Sequence, residues 1–79
     1  MKTQDQIRHI ADKFQIGEDQ AQEILRVLIA GTANFSDEDY ELMFSYYCDS
    51  GEIPYDIATS GDPYVWISQH LKTELEILV

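Results

Sequence analysis

Apolar side chains recur at intervals of three and four residues along the 79-residue chain, and no segment alternates apolar with polar residues. The first spacing places apolar side chains on one face of an α-helix, whereas strict alternation is typical of a half-buried strand. A chain of this length supports one hydrophobic core. The sequence therefore predicts a single all-α domain spanning residues 1–79, built as a bundle of four main helices.

Each predicted helix has an apolar stripe that would face the core. In chain order the stripes are Ile7, Ile10, Ala11 and Phe14; Ala21, Ile24, Leu25, Leu28 and Ile29; Tyr40, Met43, Phe44 and Tyr47; and Tyr64, Ile67, Leu71, Leu75 and Leu78. Cys48 adjoins the third stripe, so we predict that it is a small core residue. The segment around Pro54 is predicted to be a loop.

The boundaries of the first two helices are marked by polar residues and glycine. Thr3 is predicted to cap the first helix, with Gln6 as the reciprocal partner of a capping box. Gly17 is predicted to close the turn that follows, because glycine accepts backbone conformations that other residues avoid. Gly31 is predicted to end the second helix.

Capping side chains also mark the later helices. Ser36 and Asp39 have capping-box spacing at the start of the third helix, which is predicted to end near Gly51. Asp62 and Pro63 place a capping side chain directly before a proline at the first helical position. This pair is the clearest boundary signal in the sequence.

The formal net charge is −10, from 15 acidic and 5 basic side chains. No lysine or arginine occurs between Arg26 and Lys72, a segment with eight of the carboxylates and eight of the nine aromatic side chains. Such a segment repels nucleic acid and anionic membranes and attracts basic surfaces. We therefore predict no direct DNA binding and no membrane association. The alternative is a solvated face that only keeps a small protein soluble.

Cysteine usage and hydropathy bear on the compartment. A single cysteine, Cys48, excludes an internal disulfide and suits a reducing environment. The first residues contain no apolar run of signal-peptide length, and no later apolar run has the length of a membrane helix. The sequence predicts a cytoplasmic protein.

Residues 7–28 resemble the helix-turn-helix family of DNA-binding modules. The match lies in packing positions, with Ile10 and Ala11 on the first helix, Ile16 in the turn, and Ala21 and Ile24 on the second helix. The family usually has glycine in the turn at the position of Gln15. The resemblance also implies that the second helix enters the major groove, but its exposed early residues include three carboxylates, which repel phosphates: Glu18, Asp19 and Glu23.

No set of residues in the sequence predicts catalysis, a cofactor or a metal site. His9 and His70 are far apart in the chain, and neither belongs to a compact metal-ligand motif. His70 and Glu74 have i, i+4 spacing and could form half of a metal site, but exposed helical pairs commonly have this spacing. Cys48 has acidic neighbours, which weaken a thiolate. We predict that the protein is not an enzyme and binds neither a cofactor nor a metal.

The third helix has more apolar surface than one core stripe uses. Leu42 and Tyr46 lie beside the stripe, bordered by Glu38, Glu41 and Asp49. One interpretation is a partner-binding patch with an aromatic centre and an acidic rim, because interfaces favour tyrosine. The other is that a central helix buries both of its sides. The predicted partner-binding residues are Glu38, Glu41, Leu42, Tyr46, Asp49, Glu52, Tyr55 and Asp56.

The chain is similar in size, acidity and lack of catalytic residues to phage-encoded anti-defence proteins, notably anti-CRISPR proteins. That resemblance implies an inhibitor that occupies a basic nucleic-acid-binding surface of a partner protein, with carboxylates in the place of phosphates. Two alternatives stay open, an acidic adaptor or subunit without mimicry, including a homodimer, and a helix-turn-helix transcriptional regulator.

Overall fold

The computed structural model describes residues 2–31 and 35–76, and every regular element in these two ranges is a helix. The helices are α1 (Lys2–Phe14), α2 (Glu18–Ile29), α3 (Asp37–Ser50), α4 (Tyr55–Thr59) and α5 (Pro63–Glu74). The predicted all-α class is confirmed. The prediction of a loop around Pro54 was incomplete, because Pro54 is the N-cap of the short helix α4. None of the described helices is both long and apolar enough to cross a membrane.

The core is formed by α1, α2, α3 and α5. Its largest fully buried side chains are Tyr47, Ile10, Ile24, Leu28, Met43, Ile67 and Leu71. These residues all belong to the predicted stripes, so helical spacing identified most of the core; Phe35 and Ile53 are also buried in it but lie outside the helices. Two predictions about burial are wrong: Ile29 has 59% of its surface exposed, and Cys48 is exposed on α3. Leu78 lies outside the described residues.

The turn between α1 and α2 differs from the prediction. Thr3 lies inside α1 and therefore does not cap it. Gln15 adopts the left-handed conformation with φ of 55°, while Gly17 has an extended backbone and is the N-cap of α2. The Ile16 amide donates to the Ala11 carbonyl at 3.0 Å, which closes α1 with a Schellman motif. Gln15 is the left-handed residue of this motif, and it directly follows α1, two positions before Gly17.

The N-termini of α3 and α5 confirm their predicted caps. The Ser36 hydroxyl accepts a hydrogen bond from the Asp39 amide at 3.2 Å, and the Asp62 carboxylate accepts one from the Val65 amide at 3.3 Å. Asp39 departs from the capping-box prediction, because its side chain accepts a hydrogen bond from Gln20 of α2. Gly51 ends α3 in the left-handed conformation, with φ of 75°.

Candidate functional site

The outward side of α3 carries a row of carboxylates. Glu38, Glu41 and Asp49 are exposed, and helical geometry spreads them over about 16 Å of the helix axis. None of the three forms an ion pair with another residue of the described ranges, and α3 has no basic residue in its last turn. We call these three residues the acidic face. No described side chain compensates its negative charge through an ion pair.

The two apolar residues predicted beside the acidic face are half-buried. Leu42 and Tyr46 both pack against the core. The Tyr46 ring meets Phe14 edge to face, with 5.1 Å between the ring centroids, and the Lys13 ammonium lies 5.2 Å from the Tyr46 centroid. Most of the excess apolar surface of α3 is therefore used inside the protein, in agreement with the interpretation of a central helix.

Tyr55 is the most exposed large apolar side chain that the structure describes, with 83% of its surface accessible. It stands at the start of α4 beside Asp56, which is also exposed. A shallow groove of about 360 Å³ runs between α3 and α4, and it is lined by Phe44, Cys48, Ile53, Tyr55, Ala58 and Thr59. Glu41 lies one turn before Phe44, so the acidic face adjoins the α3 side of this groove.

Glu52 does not belong to the acidic face. Its carboxylate lies 3.3 Å from Nε2 of His70 and 3.6 Å from Nζ of Lys13. Glu74 of α5 joins the same group, because Lys13 donates to both of its carboxylate oxygens at 2.8 and 2.9 Å. His9 completes the group, with its Nε2 2.6 Å from Oε1 of Glu74. We call these five residues the Lys13 cluster; it connects α1, the segment after α3, and α5.

The Lys13 cluster lies over the buried ring of Tyr47. Nζ of Lys13 is 5.0 Å from the centroid of that ring, and His70 meets the ring edge to face at 5.5 Å. Burial raises the pKa of Tyr47, and the negative charges of Glu74 and Glu52 raise it further. The phenol is therefore neutral throughout the physiological range.

Glu74 is the most strongly hydrogen-bonded carboxylate of the cluster. Burial by itself would raise the pKa of Glu74, but hydrogen bonds from Lys13 and His9 outweigh it. The net result is a pKa below the ordinary value for glutamate. Glu74 is consequently ionised at neutral pH and acts as the central anion of the cluster.

The sequence contained partial signals for the Lys13 cluster. His9 and Lys13 have i, i+4 spacing on α1, and His70 and Glu74 have the same spacing on α5. Only the second pair was recognised as half of a possible site. Helical spacing gives the face of one helix and does not tell which face of another helix it will meet, so the convergence with Glu52 was missed.

Comparison with known proteins identifies no relative of the chain. No protein family, curated protein or solved structure matches the chain. The interpretation of the acidic face and the Lys13 cluster therefore rests on their own chemistry.

Proposed function

We propose that the protein is a non-enzymatic inhibitor that binds a basic, nucleic-acid-binding surface of a partner protein through the acidic face. The observation that supports this proposal is the row of exposed carboxylates on α3 that have no ion-pair partners among the described residues. Uncompensated charge attracts an oppositely charged surface over a distance and raises the association rate. Glu38, Glu41 and Asp49 would take the places of phosphates on the partner.

Tyr55 and Asp56 extend the proposed binding surface onto α4. A largely exposed tyrosine beside an apolar groove can insert into a partner and slow dissociation, because aromatic anchors supply much of the energy of an interface. The acidic face would then govern association, and Tyr55 the lifetime of the complex. Leu42 and Tyr46 contribute less than the sequence suggested, because they are half-buried.

An adaptor without mimicry is the second candidate. It is favoured by the exposure of Tyr55 next to the α3–α4 groove, since a local apolar patch binds a partner without any row of charges. A homodimer that uses this patch belongs to the same class. The two candidates differ in whether nucleic acid competes for the partner and in how steeply the affinity falls with salt.

The finer points of the architecture are part of the proposal. We infer that α1, α2, α3 and α5 form a four-helix bundle in which α1 and α2 cross like a helix-turn-helix pair. The fully buried Ala21 and the left-handed Gln15 support this arrangement. Glu18 and Asp19 lie in the first turn of α2, where a recognition helix would meet phosphates. The pair would therefore be a packing unit without affinity for duplex DNA, which disfavours the transcriptional regulator.

An affinity experiment tests whether the protein binds a nucleic-acid-binding surface of a partner. The tagged chain is incubated with a nuclease-treated bacterial lysate, because we expect a cytoplasmic partner of the kind that phage anti-defence proteins bind. Captured protein is then challenged with duplex DNA, with single-stranded RNA and with increasing salt. The proposal requires that a nucleic acid releases the captured protein and that affinity falls steeply with salt, since exposed charges are screened over about 8 Å at physiological ionic strength.

Charge variants with equal net change provide the control. We expect the combination Glu38→Gln, Glu41→Gln and Asp49→Asn to lower the association rate of the captured partner about tenfold. The combination Asp5→Asn, Asp12→Asn and Asp19→Asn removes the same charge from exposed positions on α1 and α2 and should have a much smaller effect. Equal effects of the two sets, or binding that resists nucleic acid and depends only on Tyr55, would favour the adaptor.

A further inference from the structure

Three potential metal ligands converge in the Lys13 cluster from two separate parts of the chain. Glu52 follows α3, while His70 and Glu74 lie one turn apart on α5. Nε2 of His70 is 3.3 Å from Oε2 of Glu52 and 3.8 Å from Oε2 of Glu74, and the three ligand atoms all lie within 4.8 Å of one another. Ligand atoms of a tetrahedral zinc site, with bonds of about 2.0–2.2 Å, are separated by about 3.3–3.6 Å.

We propose that Glu52, His70 and Glu74 bind a divalent transition-metal ion of the zinc type, with water in the remaining position. One imidazole nitrogen and two carboxylate oxygens are ligands that zinc accepts. This proposal revises the expectation from sequence that the chain has no metal site. It is independent of the proposed inhibitor, because the acidic face is made of other residues.

The buried ring of Tyr47 lies beside the proposed site. Tyr47 is completely buried, and its hydroxyl has no hydrogen-bond partner in the part of the protein that the structure describes. A buried hydroxyl without a partner is costly. The Tyr47 ring packs edge to face against His70 at 5.5 Å and lies 5.0 Å beneath the Lys13 ammonium. The ring therefore provides an apolar support for the imidazole that would bind the ion.

His9 is placed to orient the Glu74 carboxylate without binding the metal itself. Its Nε2 contacts Oε1 of Glu74, which Lys13 also contacts at 2.9 Å, whereas His70 approaches Oε2 at 3.8 Å. A hydrogen bond to the far oxygen of a ligating carboxylate fixes its orientation and leaves the near oxygen for the metal. His9 is thus a positioning residue for the site.

Lys13 competes with the proposed metal ion. Its ammonium is 2.8 Å from Oε2 of Glu74 and 3.6 Å from Oε2 of Glu52, and only 9% of its side chain is exposed. These are the same oxygens that would bind the metal. The ammonium must therefore move when the ion enters, and removal of its charge should strengthen metal binding although it removes an ion pair.

The experiment is a calorimetric titration of the chelator-treated full chain with ZnCl2. Trp66 is the sole tryptophan and stacks on His70 with ring centroids 4.6 Å apart, so its fluorescence reports on the imidazole that binds the ion. We expect one equivalent of zinc to bind, with a fluorescence change at the same midpoint. His70→Ala and Glu52→Gln should each weaken binding about tenfold or more, and Lys13→Met should strengthen it several-fold.

Matched controls separate this site from general attraction of cations to an acidic protein. Glu41→Gln removes one exposed carboxylate elsewhere and should leave zinc affinity unchanged. Cys48→Ser should also leave it unchanged, which excludes the exposed thiol as the ligand. Circular dichroism of each variant verifies folding. Glu52→Gln should leave the fold intact, because Glu52 is exposed outside the helices.

Several outcomes would overturn the proposal. The wild-type chain would bind no zinc, or His70→Ala would bind it as tightly as the wild type. Loss of zinc binding in Cys48→Ser would also contradict the proposal. So would weaker binding by a folded Lys13→Met variant. A Trp66 response to MgCl2 as large as that to ZnCl2 would also contradict it, since magnesium prefers oxygen ligands and retains its water.

Discussion

The side-chain amide of Gln20 donates a hydrogen bond of 2.7 Å to the buried carboxylate of Asp39. Asp39 is only 8% exposed, and it lies in the first turn of α3, where its amide is already bound by Ser36. The contact joins α2 to the N-terminus of α3. A carboxylate predicted to serve only its own helix thus has a tertiary role.

Removal of this partner should destabilise the protein. Gln20→Ala leaves the Asp39 carboxylate buried without its hydrogen bond, which we expect to lower the free energy of unfolding by about 1–3 kcal/mol. Gln22→Ala is the matched control, because Gln22 is exposed on the same helix, and it should change stability by less than about 0.5 kcal/mol. Urea denaturation measures both values. Equal stability of the two variants would show that the contact contributes nothing.

The N-cap of α5 gives a second test. Asp62→Ala removes the acceptor of the Val65 amide and should lower the free energy of unfolding by about 1 kcal/mol. Asp62→Asn keeps an oxygen acceptor at the same place and should retain most of the stability. Thermal melts of the two variants at neutral pH distinguish capping from the mere loss of a charge, since both substitutions remove the carboxylate.

Gln15 holds a backbone conformation that glycine adopts more easily. A φ of 55° costs a residue with a Cβ about 1–2 kcal/mol, and glycine avoids this cost. Part of the benefit is lost because glycine has more conformational entropy in the unfolded chain. We expect Gln15→Gly to keep or raise the free energy of unfolding. The same change inside α2, Gln22→Gly, should lower it by about 1 kcal/mol. A clear loss of stability in Gln15→Gly would refute the role assigned to this turn.

The lowered pKa of Glu74 predicts a pH dependence. A carboxylate with a lower pKa in the folded than in the unfolded state stabilises the fold above its unfolded pKa, and this contribution disappears as pH falls through the folded value. Glu74→Gln should therefore be less stable than the wild type at pH 7, and the difference should shrink in acid. Chemical denaturation of both proteins from pH 7 to pH 3 provides the comparison. A difference that is independent of pH would contradict the ionic role of Glu74.

The sequence by itself determined the helical class, most of the core and two of the caps, because these depend on local physics. Spacing of three and four residues identified Met43 and Tyr47 as core residues, and the Asp62-Pro63 pair identified the start of α5. Both signals act within one or two helical turns. Ile29 and Cys48 are exposed and were wrongly assigned to the core. Helical spacing shows which face of a helix is apolar, but it does not show how much of that face the neighbouring helices cover.

Only the tertiary structure decided which charges are compensated. Glu52 and Glu41 look alike in sequence, two exposed acids in the same uncompensated segment, yet Glu52 meets Lys13 and His70 while Glu41 has no such partner in residues 2–31 and 35–76. The ion pairs of Lys13 join residues about 40 and 60 positions apart in the chain. Such contacts depend on how the helices pack against one another, and local periodicity carries no information about that packing.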